Sequence, residues 1–261
     1  MKSTFKDLVD ITEKLRAPDG CPWDREQTIE SLKPYVIEEA YETVGAADKG
    51  GMKLADELGD LLLQITMMAQ IGKEQGTFDI DDVTDCICKK MIRRHPHVFG
   101  DVSVETSQEV LKNWDKIKQG ERGDKSHTDE LKSVTAALPA LMRAQKVQSK
   151  AAKSGFDFAS VSDAAEKLRE ETDEILEAIK NGSEKNIIEE AGDLLFAAVN
   201  VVRLAKVNAE TACSGATDKF IRRFETSENL AKKDGKKLEN MSAEELDKLW
   251  NVAKTGESSE F

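Results

Sequence analysis

Val36-Ile37-Glu38-Glu39-Ala40-Tyr41-Glu42 is followed, after a glycine-containing break, by Asp56-Glu57-Leu58-Gly59-Asp60-Leu61-Leu62. The same order returns farther along as Leu168-Arg169-Glu170-Glu171-Thr172-Asp173-Glu174 and then Glu189-Glu190-Ala191-Gly192-Asp193-Leu194-Leu195. Lys90-Met91-Ile92-Arg93-Arg94 is echoed by Lys219-Phe220-Ile221-Arg222-Arg223, and Trp114 with Lys118 is echoed by Trp250 with Lys254. Four matches in one order, at offsets that drift only between 129 and 136 residues, mark a tandem duplication.

Within each copy the periodicity is helical. Apolar residues recur at threes and fours across Leu54, Leu58, Leu61, Leu62 and Ile65, and across Ile188, Ala191, Leu195 and Ala198. The breaks at residues 45–51 and at Asn181-Gly182-Ser183 predict antiparallel helical hairpins. Pro34 is expected to open the first acidic helix, where its missing N–H costs little. Aromatics make up only 5% of the chain and Glu, Lys, Ala and Leu dominate, which favours helix over sheet. The expected fold is all-α, with tandem helical-bundle modules at residues 1–120 and 134–261 and a polar linker at 121–133. Four or five helices are expected in each copy.

The formal net charge of −12 speaks against a nucleic-acid partner, which needs a basic footprint. It leaves room for an anionic small substrate if a metal ion reverses the local field. The most apolar stretches, residues 61–71 and 194–204, are broken by Gln64, Thr66, Asn200 and Arg203, so no membrane span is expected. The first ten residues hold no hydrophobic run of a secretory signal, and Cys21, Cys86, Cys88 and Cys213 follow no C-x-x-C spacing. A cytoplasmic protein with reduced thiols is expected.

Residues three apart on a helix share a face. Glu39 pairs in this way with Glu42 and Glu57 with Asp60; in the second copy Glu171 pairs with Glu174 and Glu190 with Asp193. If the two helices of each hairpin bring their pairs together, carboxylates about 5–6 Å apart repel by roughly 3 kcal/mol per pair at an effective dielectric of ~20. Such a group must hold cations, take up protons or stay wet. All eight positions are hard oxygen donors, suited to Mg²⁺ or Mn²⁺. A di-iron bundle would add Glu-x-x-His on two helices, and no histidine stands near these pairs. A single E-x-x-E is more often a solvated face than a site; its return, each time with E-x-x-D and a Lys-x-x-x-Arg downstream, carries the weight. Gly59 and Gly192, costly inside helices, suggest close approach of a second helix or of a ligand.

Lys90 with Arg94, and Lys219 with Arg223, share a helix face and suit polyphosphate oxygens. Trp114 and Trp250 can stack on a base or sugar, with Lys118 and Lys254 one turn on, although core packing competes for both rings. His95-Pro96-His97 reads as a polar turn ending a helix, because Pro96 prevents a helical ligand pair and no zinc-spaced partners surround it. No phosphate-binding glycine loop and no G-x-S-x-G elbow is present.

Together with Gly20-Cys21-Pro22-Trp23-Asp24, Arg93-Arg94-His95-Pro96-His97-Val98-Phe99-Gly100, residues 138–146 and Gly155-Phe156-Asp157, these motifs resemble the MazG nucleoside triphosphate pyrophosphohydrolases over essentially the whole chain. The resemblance implies an all-α homodimer that converts nucleoside triphosphates to monophosphates and pyrophosphate with Mg²⁺. It implies metal coordination by Glu171, Glu174, Glu190 and Asp193, with Lys219, Arg223, Trp250 and Lys254 on the nucleotide. The C-terminal copy is the usual seat of activity in tandem members, yet Glu39, Glu42, Glu57, Asp60, Lys90 and Arg94 are intact in the first. The expected mechanism is attack of a metal-activated water on the α-phosphorus, with Glu170 or Glu189 taking its proton, in nucleotide-pool housekeeping. A γ-phosphate-cleaving hydrolase and a non-catalytic helical interaction module are the alternatives.

Overall fold

The computed structural model describes residues 2–47, 49–122 and 126–257, without the side chains of residues 115, 119, 122 and 257. It divides into two compact units, residues 1–123 and 124–261. No strand occurs among the described residues, and both units are helical.

The first unit holds α1 (Phe5–Arg16), α2 (Pro22–Glu26), α3 (Ile29–Ala47), α4 (Gly51–Glu74), α5 (Ile80–Arg94), α6 (Pro96–Phe99) and α7 (Ser107–Arg122). The second holds α8 (His127–Lys132), α9 (Ala140–Lys153), α10 (Val161–Asn181), α11 (Glu184–Leu204), α12 (Ala209–Lys233) and α13 (Ala243–Glu257), with one 3₁₀ turn at Leu238–Asn240. These numbers exceed the four or five helices expected. In the first unit the surplus comes from short pieces: α2 and α6 each begin on a proline at the first helical position, where fixed φ starts a turn without the loss of a needed donor. Residues 127–132, inside the stretch expected to be a polar linker, form α8. A reciprocal cap between Ser126 and Asp129 starts that helix, and it packs on α9. Gly123 and Asp124 of that stretch lie outside the described residues.

Pro34 does not open α3. The helix begins at Ile29, where Thr28 and Ser31 exchange hydrogen bonds of 2.9 and 3.1 Å, and Pro34 lies inside it. A cap placed earlier in the chain won over the proline, which removes one backbone donor from the early helix.

Each unit is organised around one antiparallel hairpin, α3/α4 and α10/α11, the most extensive helix pair in each. The turns fall within the expected breaks, although α3 continues to Ala47 and α4 begins at Gly51. Gly182 takes φ +69° just past α10, and its N–H donates to the Ala178 carbonyl at 3.1 Å, the left-handed stop that glycine accepts without a Cβ penalty. Asp79 caps α5 reciprocally with Asp82, and Ser160 and Asn208 cap α10 and α12.

The two hairpins fill their interiors differently. In the first unit Leu32, Met67 and Ile71 form a buried cluster with Ile29, Leu63 and Met68 around it. The buried Thr12 and Thr66 hydroxyls meet at 3.1 Å between α1 and α4. The second unit buries mainly small residues, among them Ala164, Ala178, Ala197, Val199 and Ala231. Small side chains let helices approach closely but fill less space between them.

Gly20 shows what the Gly-Cys-Pro-Trp-Asp run does. The chain doubles back over the end of α1, the Cys21 N–H donating to the Leu15 carbonyl at 2.8 Å. A Cβ at Gly20 would stand 2.2 Å from that carbonyl oxygen. Gly20→Ala should therefore destabilise the first unit by at least about 1–3 kcal/mol through overpacking against backbone. Urea unfolding followed by circular dichroism should show a lower midpoint at similar m-value; an unchanged midpoint would mean that the turn relaxes freely.

Candidate functional site

Two groups of three carboxylates can each offer oxygens lying within 4.8 Å of one another: Glu39, Glu57 and Asp60 in the first unit, and Glu171, Glu174 and Glu190 in the second. Each group draws on both helices of its hairpin, α3 with α4 and α10 with α11. The hairpin geometry thus does what the spacing asked of it for six of the eight acids. Glu42 and Asp193 stand outside the threes. Glu42 remains close enough to Glu57 to raise its pKa, and Asp193 lines a cavity shared with Glu171.

The electrostatics carry the strain of this convergence. Glu174 is held above the usual carboxylate range, first by withdrawal from water and then by the charge of Glu171, with Glu190 adding and Lys167 easing the effect. Glu39 is raised by desolvation and by the charges of Asp60, Glu42, Glu38 and Glu57. Glu57 is raised by desolvation and by Glu42, eased by Lys53 one turn away. Carboxylates that raise one another across facing helices are oxygen donors of the kind that suits a hard divalent ion.

Glu171 is only 5% exposed. Its charge is met by Lys167, whose Nζ lies 2.7 Å from Oε1 of Glu171 and 2.7 Å from Oε1 of Glu170. The contact raises the lysine pKa, through Glu170 first and Glu171 second. Lys167 was missed in the sequence reading, although its position one turn before Glu171 is a readable signal. In the first copy the corresponding position is Tyr35, whose ring meets Trp23 edge-on at 6.2 Å. The pairing also engages Glu170, one of two residues considered as proton acceptors; the other, Glu189, is exposed on α11.

A cavity of about 570 Å³ lies beside the second group, with Lys167, Glu171 and Asp193 in its wall. Its apolar lining includes Phe156, Phe158 and Phe196. At the matching offset, Met67 stands in the first copy where the second has Asn200, and Leu63 where it has Phe196. Met67 is 3% exposed within the Leu32–Ile71 cluster, so apolar side chains occupy that part of the first unit.

The basic and aromatic candidates sit on other helices. Lys219 and Arg223 lie on α12, Trp250 and Lys254 on α13, and none of the four lines the cavity. Trp250 packs on Phe220 at 5.1 Å between ring centroids. In the first unit Trp114 meets His95 at 4.8 Å, with the Arg94 guanidinium 5.5 Å above the indole. Arg94 and Arg93 both bind Glu121, which brings the Glu121 pKa down to about 2. Lys90 lies half-buried on α5 and Lys118 on α7. Both tryptophans thus pack against the neighbouring helix. Gly59 and Gly192 are not sites of close helix approach, since a Cβ at either would meet nothing within 4 Å. His95 ends α5 and Pro96 starts a one-turn helix, as the polar-turn reading expected.

A family model described as the MazG nucleotide pyrophosphohydrolase domain matches the chain twice, at residues 27–99 and 159–228. Both acidic groups and both Lys-x-x-x-Arg pairs fall inside these segments. A Thermotoga maritima protein named nucleoside triphosphate pyrophosphohydrolase/pyrophosphatase MazG is 44% identical over 256 residues, covering 98% of this chain and 97% of its own. An Escherichia coli K12 protein named nucleoside triphosphate pyrophosphohydrolase is 41% identical over 254 residues, covering 96% and 97%. A Bacillus subtilis protein named uncharacterized protein YabN is 48% identical over 257 residues, 98% of this chain and 52% of its own length.

Because Glu174 holds its proton more tightly folded than unfolded, its ionisation lowers stability at neutral pH, and that effect fades as pH falls through the raised folded pKa toward the ordinary carboxylate value of about 4.3. Metal-free Glu174→Gln should accordingly melt higher than wild type at neutral pH, with the gap closing toward about pH 4. Magnesium should raise the wild-type midpoint more than the variant's. A gap that widens on acidification would show that Glu174 is not under like-charge strain.

Proposed function

The chain belongs to the MazG nucleotide pyrophosphohydrolase family and is an enzyme of that activity; from this premise we propose that it hydrolyses nucleoside triphosphates, ribo and deoxyribo, to the monophosphate and pyrophosphate at the second copy's carboxylates. The observation that carries the reading is an oxygen-only group from two hairpin helices, one member of which, Glu171, stands in the wall of a cavity of nucleoside size. Glu171, Glu174 and Glu190 would hold Mg²⁺, with Mn²⁺ as substitute, and Asp193 stands with Glu171 at the cavity wall. When bound, the ion supplies neutralisation of the triphosphate and a lowered pKa for water.

The chain's own groups do the rest. Lys167 presents a fixed ammonium at the cavity wall, which draws an anionic chain toward the acids and balances the buried Glu171. Glu171, held by that lysine, keeps its orientation while Glu174 and Glu190 complete the group. Lys219, Arg223 and Lys254 supply positive charge for the polyphosphate, with Trp250 beside them on α13, and Lys90, Arg94, Trp114 and Lys118 are their counterparts in the first copy. Water attacks the α-phosphorus, and pyrophosphate leaves as the charged product. In this reading the second copy turns over. The first, with Glu39, Glu42, Glu57 and Asp60, lacks the matching lysine and has Met67 packed where the second has Asn200.

The assembly we propose is a homodimer. Leu176, Ile179, Ile188 and Leu195 on the α10/α11 hairpin are each exposed by half or more, an apolar stripe that a second copy would cover. Four free cysteines suit the reducing cytoplasm, where nucleotide-pool housekeeping takes place, and among the described residues no helix is long and apolar enough to cross a membrane.

A panel of nucleoside triphosphates with Mg²⁺ should release pyrophosphate and not orthophosphate, and in heavy-oxygen water the label should enter the monophosphate. Orthophosphate as first product would favour cleavage at the γ-phosphorus; no product and no calorimetric signal would favour an interaction module. Glu174→Gln should cut turnover by at least about a hundredfold, the scale of losing one electrostatic contact to the transition state. Glu42→Gln should retain most activity; equal losses in the two variants would assign turnover to both copies.

A further inference from the structure

Phe156 is 82% exposed, yet it stands in the wall of the cavity beside Glu171. An aromatic ring of this size left in water forgoes on the order of 2 kcal/mol of burial. Its neighbours are far from loose. Asp157 makes a two-pronged pair with Arg203, Nη1 to Oδ2 at 3.2 Å and a second, shorter contact from Nη2 to Oδ1. The Arg203 side chain is 11% exposed and also donates to Asn200 Oδ1, from Nε at 2.9 Å and Nη2 at 2.6 Å. The guanidinium thus ties the loop between α9 and α10 to α11 while leaving the ring beside Asp157 uncovered. Gly155, at φ +87°, supplies the left-handed backbone that turns the chain there.

A second feature of the same cavity wall is a buried acceptor left unmet. Gln148 on α9 lines it and is 5% exposed. Its Nε2 donates to the Phe196 carbonyl at 2.8 Å, so the amide orientation is set, because a carbonyl can only accept. Oε1 is then the opposite end, and it is buried with no partner among the described residues. Buried acceptors in folded proteins are nearly always met.

We propose that the loop carrying Gly155-Phe156-Asp157 is a base platform: Phe156 stacks on the base of the bound nucleotide, and Asp157 with Arg203 and Asn200 positions the platform. The inference rests on the reading that a nucleoside triphosphate is hydrolysed at the adjoining carboxylates. It assigns to this motif a task that the acid and base chemistry does not use. A π-face is common to all bases, so stacking gives affinity without strong base preference. Phe156 is a binding residue; Asp157 and Arg203 act through it as positioning residues.

Phe156→Ala should raise KM for nucleoside triphosphates by roughly five- to a hundredfold, the range of base–aromatic stacking, with kcat little changed. Inhibition by inorganic triphosphate, which has no base, should be the same in the variant and in wild type. Asp157→Asn should raise KM in the same way, and the double variant should be no worse than Phe156→Ala alone, because the pair acts through the ring. Phe156→Trp should restore KM, and its added emission should be quenched on titration with a nucleotide and Mg²⁺. An unchanged KM in Phe156→Ala, an equal loss of inorganic triphosphate binding, or an unquenched tryptophan would each overturn the platform. The fluorescence titration needs no turnover, so quenching without pyrophosphate release would sink the proposed activity and leave the platform standing.

Discussion

Negative charge brought together across a helical hairpin is the constraint on which the second unit depends. Three carboxylates that can offer oxygens within 4.8 Å of one another repel where they are ionised together. One of them, Glu171, is almost wholly withdrawn from water, and Lys167 meets it from one turn earlier on the same helix. Such an arrangement is tolerable where the local gain is something other than stability, since buried ion pairs are weak contributors to folding. The surrounding structure accommodates it with a capped helix, a glycine-stopped turn and buried small residues.

The duplication supplies its own comparison. Both copies keep the hairpin and a group of three acids, so the scaffold that brings acids together survived in each. Around that scaffold the interiors diverged. In the first unit Leu32, Met67 and Ile71 make a buried apolar cluster. In the second, alanines are buried, Asn200 is half-buried, and a cavity opens beside the acids. A methionine in place of an asparagine, or a tyrosine in place of a lysine, changes what lies beside the acids without disturbing the helices that hold them.

Much of the fold was legible because helices announce themselves locally. The three-and-four spacing of Leu54, Leu58, Leu61 and Leu62 and the glycine at 182 each report on a few neighbouring residues. Where local signals compete, the three-dimensional structure decides between them. Pro34 looked like a helix start, but the Thr28–Ser31 cap one turn and a half earlier took that role. Residues 127–132 looked like linker because they lack apolar periodicity, yet Ser126 and Asp129 suffice to start a helix. Gly59 and Gly192 suggest close approach of a second helix or of a ligand; a Cβ at either would meet nothing within 4 Å, so no second helix approaches there.

For the site, the order of residues determined which acids share a helix face, that the set recurs, and that its donors are all oxygen. Those properties follow from side-chain chemistry and from the helical repeat, which act over a single turn. Only the tertiary structure decided that Glu171, Glu174 and Glu190 meet while Asp193 turns toward a cavity, that Gln148 and Arg203 reach the same wall, and that Phe156 is left uncovered. These are contacts between helices dozens of residues apart, set by how side-chain volumes fill the space between α9, α10 and α11. No local pattern encodes that filling, because it depends on the sizes of all the residues that meet there at once.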